Sequence, residues 1–505
     1  MAETLTAPAS PDILAEIKPL KANPKPGKLF IDGEFVEARS GKTFETRNPA
    51  TGEVLALVAE AGAEDVDLAA HAARKAFEES SPWRKMTPRD RARVLWKLAE
   101  LIRANAEELS ELETLDTGKP IFESSRFDIP LAAECFEYYA GWPTKITGET
   151  IPNTAGGEAL IYTLREPVGV CGQIIPWNFP LQMLAWKVAP ALACANTIVL
   201  KPAEQTPLTA LRFAELTLEA GLPPGVFNVV TGFGPTTGAA MVEHPGIDKI
   251  AFTGSVEVGK EIMRAAAKTL KRVSLELGGK SPNLVFADAD LETAAKFALG
   301  GIFFNQGEMC TAGSRIFVEE KGYDEFMAVL RGRAGKMVAG DPLHPKTRLG
   351  SLISSEHLDR VMSYVAVGRG EGASVAIGGE RIGSRGYFMQ PTVLEGVTNS
   401  MRVAQEEIFG PVASVIKFAN LEEGVREANN SEFGLAAAIW TRDIKKAHRV
   451  ARSVKAGTIW INTISTTENA APFGGYKSSG FGRELGRAAI DLYTETKTVW
   501  VDLNG

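Results

Sequence analysis

The chain has 505 residues and a formal net charge of −7, and 45% of its residues are hydrophobic and 23% charged. This composition is ordinary for a folded globular protein, and the length suggests about two to four domains. The negative charge argues against nucleic acid or an anionic membrane as the main partner.

The four cysteines have no paired or metal-ligand spacing, which predicts reduced thiols in a reducing compartment such as the cytoplasm. None of the five histidines stands beside a chemical motif, so neither a metal site nor a Ser/His/Asp triad is expected, and each is interpreted as a surface or capping residue.

Residues 1–27 predict a loosely ordered leader, because they are rich in proline and contain neither an apolar stretch nor an arginine. This pattern does not fit a secretory or transit peptide. The most apolar segment, residues 179–200, is interrupted by Lys187, Pro190 and Asn196 and is therefore not predicted to span a membrane.

The first predicted elements are a hairpin, over residues 29–36 around Asp32-Gly33, and a helix over residues 63–79. A second helix begins at Pro88, where Thr87 is the cap, and is predicted to run to about residue 115. Residues 148–166 predict another hairpin, which interrupts the surrounding helices.

From residue 168 the pattern alternates between short apolar strands and helices, first to residue 275 and then from about 284 to 461. Apolar strands joined by helical crossovers predict parallel sheets that are covered on both faces. The fold class predicted is therefore α/β, with two doubly wound α/β domains. A small β appendage completes the prediction, because the C-terminus returns to a β-like run at residues 496–503.

One cysteine stands out by its surroundings. Cys310 follows an apolar stretch and lies between Gly307 and Gly313, so that the backbone can turn sharply and another molecule can approach the thiol. A buried structural cysteine is the alternative interpretation. A second stretch favours a chemical role for Cys310, because Glu276 ends a β-like run there and opens onto Gly278-Gly279.

Other polar residues follow the ends of the predicted parallel strands, where open α/β sheets bind ligands. Asn178 lies between two prolines, so its amide could be held still as a donor to an oxyanion. Lys201 and Glu204 follow the next strand and could reach a sugar or be solvated. Gly254-Ser255 begins a helix, where backbone N–H groups favour a phosphate.

Taken together, these residues resemble the aldehyde dehydrogenase superfamily, over nearly the whole chain from about Lys28. The resemblance is carried by seven blocks: PWNFP, KPAEQTP, FTGS, LELGGKSPN, FNQGEMCTAGSR, EEIFGPV and PFGGYKSSGFGRELG. It implies an NAD-binding domain of residues 28–147 and 167–279, a catalytic domain of residues 280–485, and oligomerisation elements at residues 148–166 and 486–505.

By this resemblance, Cys310 is the nucleophile that adds to an aldehyde, and Asn178 with the Cys310 backbone N–H holds the oxyanion. Hydride transfer would leave a thioester, which water activated by Glu276 would hydrolyse to the carboxylic acid. Lys187 and Glu484 match positions of a supporting proton relay.

The resemblance also implies NAD as the cofactor, with NADP as the weaker alternative, because a carboxylate at Glu204 would repel a 2′-phosphate. Lys201 and Glu204 would hold the adenosine ribose, Ser255 the pyrophosphate, Glu407 the nicotinamide ribose, and Phe409 would pack beside the nicotinamide. The remaining implied cofactor residues are Ile174, Pro176, Trp177, Gly234, Gly254, Leu277 and Gly278. Self-association as a dimer or tetramer is expected.

The implied aldehyde tunnel is mostly apolar, which favours a medium-chain aliphatic or aromatic aldehyde. Its expected lining residues are Phe179, Met183, Trp186, Met309, Thr311, Ile464 and Phe473. A betaine aldehyde, aminoaldehyde or semialdehyde remains an alternative. A CoA-acylating enzyme is disfavoured by Glu276, and a catalytically silent binding protein would not need Cys310, Glu276 and Asn178 together.

Overall fold

The structure is a computed structural model that describes residues 20–337 and 339–504. Residues 1–19 of the predicted leader lie outside the described residues. At its described end, the backbone N–H groups of Lys21 and Ala22 both donate to Glu111 Oε2, each at 2.7 Å. Among the described residues, no helix is long and apolar enough to cross a membrane.

The first large sheet has eight strands, and its five central strands are parallel. In spatial order the strands are Glu34–Val36, Leu29–Ile31, Phe227–Val229, Thr197–Lys201, Val170–Ile174, Lys249–Thr253, Arg272–Glu276 and Gly480–Phe481. The Leu29–Ile31 and Glu34–Val36 strands form the predicted hairpin, with Asp32 and Gly33 at φ values of 53° and 84°.

Helices cover both faces of this sheet because successive strand side chains alternate between two cores. On one face, Cys171 and Ile198 pack among the helices of residues 88–104, 129–140, 180–193 and 208–219. On the other, Val170 and Val199 pack among those of residues 63–77, 239–243 and 256–266. The helices of this part of the chain are Ala63–Phe77, Pro82–Lys85, Pro88–Ala104, Ala106–Thr117, Ile121–Glu123, Ile129–Ala140, Pro180–Ala193, Leu208–Glu219, Ala239–Glu243 and Val256–Ala266.

The second large sheet has seven strands, which are parallel except at one edge. In spatial order they are Ser374–Ile377, Thr392–Glu395, Val412–Phe418, Arg315–Glu319, Pro282–Val285, Ala436–Trp440 and Thr458–Ile461. The accompanying helices are Leu291–Phe303, Tyr323–Ala334, Ser355–Gly370, Arg402–Gln405, Leu421–Asn429, Ile444–Ser453 and, near the C-terminus, Ala488–Leu492. The predicted fold class, two doubly wound α/β units with a small β appendage, is therefore confirmed.

The β appendage is a three-stranded antiparallel sheet. Its strands, in spatial order, are Thr494–Asp502, Ala159–Pro167 and Thr150–Ile151. Two further two-stranded sheets pair Thr43–Arg47 with Val54–Ala59 and Phe433–Gly434 with Tyr476–Lys477. The predicted domain boundaries stay predictions; we note that Gly480–Phe481 pairs with Arg272–Glu276 of the first sheet.

The long helix predicted from Pro88 to about residue 115 is wrong, because the structure has two helices separated at Asn105. Asn105 has a non-helical backbone, with φ −107° and ψ 18°, and its side chain donates to the Leu101 carbonyl at 2.8 Å. Asparagine breaks helices in this way because its amide competes for backbone carbonyls.

Candidate active site

The candidate site lies at the carboxyl ends of the parallel strands of the first sheet. Val170–Ile174, Lys249–Thr253 and Arg272–Glu276 are neighbours in parallel register, and Thr253 is directly opposite Glu276. Each of these strands ends in a predicted motif. Because the carboxyl ends of parallel strands meet at one edge of the sheet, the three motifs lie together. That edge presents the turn after residue 174, the Gly254-Ser255 helix start and Glu276 to one space.

Two glycines bring the Glu276 strand against the segment that carries Cys310. A Cβ at Gly279 would lie 2.3 Å from the Cys310 carbonyl oxygen, and a Cβ at Gly278 would lie 2.1 Å from Glu407 Oε2. A side chain at Gly279 would therefore clash with the backbone, and one at Gly278 would displace the Glu407 carboxylate. The Gly279 N–H also donates to Glu407 Oε1 at 2.9 Å. The two glycines therefore join three separate motifs of the sequence.

Cys310 is partly exposed as a residue, whereas Cys135, Cys171 and Cys194 are buried, and all four are free cysteines. Burial raises the pKa of the Cys310 thiol to about 12, and the nearby carboxyl groups of Glu407 and Glu276 act in the same direction. The resting thiol is therefore protonated at neutral pH, so a nucleophile here needs a proton acceptor or a neighbouring positive charge.

The side chain of Asn178 is held against the nucleophile segment. It is 5% exposed, and its Nδ2 donates to the Glu308 carbonyl oxygen at 2.8 Å. The backbone carbonyl oxygen of Asn178 accepts a hydrogen bond from Asn305 Nδ2 at 2.8 Å. An amide nitrogen carries two hydrogens, so the second N–H of Asn178 is left over for a ligand.

Glu276 is a buried carboxyl group beside a buried ion pair. It is 5% exposed, and its Oε2 makes no hydrogen bond with any described residue. Burial, followed by the negative charge of Glu484, raises the pKa of Glu276 well above its ordinary value, while Lys187 and Arg483 lower it. Lys187 Nζ pairs with Glu484 and donates to Thr253 Oγ1 at 2.6 Å. A carboxyl group with a raised pKa is suited to accept a proton near neutral pH.

A cavity of about 730 Å³ brings most of the predicted site residues together. Of the predicted catalytic residues, its wall contains Asn178, Glu276, Cys310 and Glu484. Of the predicted cofactor residues it contains Pro176, Trp177, Gly254, Ser255, Leu277, Gly278, Glu407 and Phe409. All seven predicted tunnel residues line it: Phe179, Met183, Trp186, Met309, Thr311, Ile464 and Phe473.

Five predicted site residues are not among the residues that line this cavity: Ile174, Lys187, Lys201, Glu204 and Gly234. Lys187 contacts the wall through its ion pair with Glu484 and its hydrogen bond to Thr253, both of which line the cavity. Lys201 Nζ donates to Glu204 Oε2 at 3.3 Å and to the Pro202 carbonyl at 3.0 Å. These two residues thus form a pair of their own at the end of the next strand.

The cofactor side of the cavity fits a nucleotide with ribose hydroxyls. Burial raises the pKa of Glu407 to about 7, and the Gly279 N–H and Lys280 lower it. Ser255 caps the helix Val256–Ala266, with Oγ accepting from the Val258 N–H at 3.3 Å. The first-turn N–H groups of that helix therefore face the cavity edge, where a phosphate group is favoured.

His357 is a wall residue that sequence reasoning missed, and its interpretation as a surface or capping residue is wrong. Its Nε2–H donates to the Phe409 carbonyl oxygen at 2.6 Å, and its ring packs edge-on against Trp177, with 5.4 Å between the ring centroids. Burial lowers its pKa to about 4, so it is neutral at pH 7.

Phe127, Phe297 and Phe304 also line the cavity and were missed as tunnel residues. Their sequence signal was only that of apolar helix residues.

Phe409 itself has a left-handed backbone, with φ 60°. Arg360, one turn after His357, donates to the Glu407 carbonyl at 3.2 Å. One face of the helix Ser355–Gly370 therefore holds the carbonyl groups of Glu407 and Phe409. Within residues 20–337 and 339–504, no group of three or more His, Cys, Asp or Glu side chains could hold a metal ion.

Comparison with known proteins identifies the class. The model of the aldehyde dehydrogenase family matches residues 35–499. Aldehyde dehydrogenase 1A1 of Gallus gallus is 51% identical over 498 residues, which cover 98% of this chain and 97% of that protein. The chain therefore belongs to the aldehyde dehydrogenase family, and the predictions of family and enzyme class are confirmed.

Two solved structures show the same fold. The NAD+ complex of an aldehyde dehydrogenase from Bacillus cereus has a TM-score of 0.93 and 52% identity, with 98% of this chain and 99% of that chain covered. A variant of the P. syringae AldA indole-3-acetaldehyde dehydrogenase, in complex with NAD+ and IAA, has a TM-score of 0.93 and 45% identity, with 94% and 97% covered. The NAD+ complexes confirm the predicted cofactor at the level of the family.

Proposed function

We propose that this protein oxidises an aldehyde to the carboxylic acid with NAD, through a thioester on Cys310 that water hydrolyses with Glu276 as base. The observation that carries this proposal is the single cavity lined by Cys310, Asn178 and Glu276. A thiol, an amide donor and a carboxyl group with a raised pKa are the three groups that the chemistry requires.

The first step is addition of the Cys310 sulfur to the aldehyde carbon. Because burial keeps the thiol protonated, its proton must leave as the C–S bond forms, and we assign the ionised form of the buried Glu276 carboxyl group as the acceptor. Glu276 then passes this proton through Lys187 and Glu484 to solvent, so that it is ionised again before hydrolysis. The developing oxyanion is held by the remaining N–H of Asn178 Nδ2 and by the Cys310 backbone N–H. Losing one such donor typically reduces turnover by about 10²- to 10³-fold.

The residues on the cofactor side fit NAD. When bound, NAD supplies the hydride acceptor, and loss of the hydride leaves an acyl group on Cys310. Glu407 would accept hydrogen bonds from the hydroxyl groups of the nicotinamide ribose. Trp177, Phe409 and Ser255 would line the rest of the site. Lys201 and Glu204 would hold the adenosine ribose, with Ile174 and Gly234 nearby, and the Glu204 carboxylate supports NAD over NADP.

Hydrolysis of the thioester completes the reaction. Glu276 takes a proton from water, the resulting hydroxide attacks the acyl carbon, and the Cys310 thiolate leaves with the electrons of the C–S bond. Lys187, which lowers the pKa of Glu276, keeps part of this carboxyl group ionised, and Glu484 orients Lys187 through their ion pair. We assign these two residues to the relay that returns the proton to solvent.

We propose a medium-chain aliphatic or aromatic aldehyde as the substrate. The tunnel wall is apolar, and the rings of Trp186 and Phe473 pack edge-on with 5.0 Å between their centroids. Phe179 stacks on Phe304 at 6.3 Å, which extends the aromatic wall. The P. syringae relative named for indole-3-acetaldehyde supports an aromatic substrate. A betaine aldehyde, aminoaldehyde or semialdehyde stays the alternative.

We also propose self-association through the β appendage and a cytoplasmic location. Thr494–Asp502 is an edge strand of its sheet, and Leu160, Leu164 and Trp500 on these strands are exposed. A long edge strand with exposed apolar side chains favours pairing with a second copy. The four free cysteines support a reducing compartment.

The proposal is tested by NADH formation across a panel of aldehydes, with NAD and NADP measured separately and with no CoA. We expect turnover with NAD on aliphatic or aromatic aldehydes, and none for Cys310→Ala, which should still bind NAD. Turnover that requires CoA would move the protein to the acylating enzymes, and full activity of Cys310→Ala would remove the nucleophile assignment.

A further inference from the structure

The segment before Cys310 contains an unusual turn. Asn305 and Gln306 have left-handed backbones, with φ 48° and 53°, and Gly307 continues the turn with φ 75°. Three consecutive left-handed residues are rare, because the Cβ of an L residue crowds its own carbonyl in this region. Such a conformation persists only where the surroundings impose it.

A buried carboxyl group holds the start of the turn. Glu123 ends the short helix Ile121–Glu123, is 5% exposed, and accepts a hydrogen bond from the Asn305 backbone N–H through Oε2 at 2.8 Å. Because Phe304 ends the helix Leu291–Phe303 with an extended ψ of 136°, the following Asn305 N–H does not continue the hydrogen bonds of that helix, and Glu123 supplies the acceptor that this N–H would otherwise lack.

The other side of the turn is fixed by the segment of residues 350–353. The Gly350 N–H donates to Gln306 Oε1 at 3.2 Å, and the Ile353 N–H donates to Glu308 Oε1 at 3.0 Å. Gly307 has no room for a side chain, since a Cβ there would lie 2.1 Å from the Gly410 carbonyl oxygen. The turn is thus held at both ends, and Glu123 is its attachment to the first domain's helices.

The turn determines where two reacting groups lie. Glu308, directly after the turn, offers its carbonyl oxygen both to Asn178 Nδ2, at 2.8 Å, and to Asn305 Nδ2, at 3.2 Å. Cys310 follows two residues later. A shift of Asn305 would therefore move the partner of the oxyanion donor and the nucleophile together.

We propose that Glu123 is a positioning residue for the reaction, which holds the left-handed turn so that Cys310 and Asn178 meet the aldehyde in the correct geometry. Glu123 is not among the residues that line the cavity, and its contact with the Cys310 segment is the hydrogen bond from the Asn305 N–H. This inference rests on the proposed function, because it needs Cys310 as the nucleophile. A displacement of about 1 Å at a reacting group can cost about 10²-fold in rate.

The test compares Glu123→Leu, which removes the acceptor, with Glu123→Gln, which keeps an acceptor oxygen. The matched control is Glu111→Leu, since Glu111 is also buried, at 8% exposure, and also accepts backbone N–H groups, from Lys21 and Ala22, away from the cavity. For each variant we would measure kcat, the KM for NAD, the melting temperature, and the rate of Cys310 alkylation by iodoacetamide, located by peptide mapping.

We expect Glu123→Leu to lower kcat and the alkylation rate by about tenfold or more, with the KM for NAD within about twofold. Glu123→Gln should keep kcat and the alkylation rate within about twofold of wild type. Glu111→Leu should keep the wild-type kcat and alkylation rate even if its melting temperature falls. Equal losses in Glu111→Leu and Glu123→Leu, or a Glu123→Leu that loses stability but keeps both rates, would overturn the inference.

If Glu123→Leu does not fold, Glu123→Asp decides the question, because it withdraws the carboxyl group by one methylene. Rates at least threefold lower would support the inference, and smaller changes would overturn it. Cys310→Ala separates the two proposals. Full activity in that variant removes the proposed function, whereas an inactive Cys310→Ala together with normal rates in Glu123→Leu removes only the positioning role.

Discussion

At the scale of single residues, the site is built from groups whose protonation burial has changed. Burial raises the pKa of Cys310 to about 12 and that of Glu276 well above its ordinary value, and the negative charge of Glu276 adds to the shift of Cys310. The Cys310 thiol is therefore protonated at rest, and a nucleophile at this position needs a proton acceptor.

This state of Cys310 predicts the pH dependence of its alkylation in the protein without cofactor. Only the thiolate reacts, so below the raised pKa the rate should increase by about tenfold per pH unit, from pH 7 to at least pH 10. The measurement is the iodoacetamide rate against pH. Cys310→Ala is the control, because the other three cysteines are buried. A rate that levels off below pH 8 would contradict the raised pKa.

The sequence predicted the candidate catalytic residues but not their surroundings. Cys310, Glu276 and Asn178 were recognised from motifs, and they do line one cavity. His357 could not be recognised, because its role depends on a contact with Phe409, which is distant in the chain and adopts a left-handed backbone. The bond between Asn178 and the Glu308 carbonyl is likewise a property of packing alone.

At the scale of elements, the site depends on close approaches that only glycine allows. Gly279 follows the strand Arg272–Glu276 and touches the segment of Cys310, where an added Cβ would lie 2.3 Å from the Cys310 carbonyl oxygen. This contact fixes the distance between the strand that ends at Glu276 and the segment that carries Cys310.

Gly279→Ala should therefore push these two elements apart. We expect kcat to fall by about tenfold or more, because a backbone oxygen cannot move aside as a flexible side chain would. Gly332→Ala is the matched control, since Gly332 lies in the helix Tyr323–Ala334 with no atom within 4 Å of an added Cβ. It should keep kcat and gain about 0.5–1 kcal/mol of stability. Equal kcat values in the two variants would refute this role of Gly279.

Regular elements were predictable because their periodicity is local. The alternation of strands and helices from residue 168 gave the parallel sheet, and Asp32-Gly33 gave the first hairpin. The helix break at Asn105 and the left-handed turn at Asn305 were not predictable, because each residue has a hydrogen-bond partner that is distant in the chain. Asn105 Oδ1 accepts a hydrogen bond from Arg212 Nη2 at 3.0 Å, and the Asn305 N–H donates to Glu123. For Asn305, the acceptor Glu123 lies in another helix, and no periodic pattern announces it.

At the scale of the whole molecule, the β appendage leaves an unpaired edge. Thr494–Asp502 pairs on one side with Ala159–Pro167, and it carries Trp500, which is 60% exposed. An exposed indole on an edge strand is costly for an isolated chain, which is why we expect this strand to meet a second copy.

Trp500→Glu should weaken self-association, because a buried carboxylate at the interface would lose its hydration. The change is measured as the mass in solution by light scattering over a range of protein concentrations. Trp96→Glu is the control, since Trp96 is 51% exposed on the helix Pro88–Ala104, outside the appendage. A monomeric wild type, or equal dissociation of both variants, would refute the assignment of this edge.

The most direct test of the account is the pre-steady-state formation of NADH by Glu276→Gln. If Glu276 activates the hydrolytic water, the variant should release a burst of about one NADH per subunit and then turn over at least about 10²-fold more slowly than wild type, because the thioester accumulates. Glu111→Gln, at a buried glutamate outside the cavity, should behave as wild type. An unchanged steady-state rate in Glu276→Gln would contradict the role of Glu276 as the hydrolytic base.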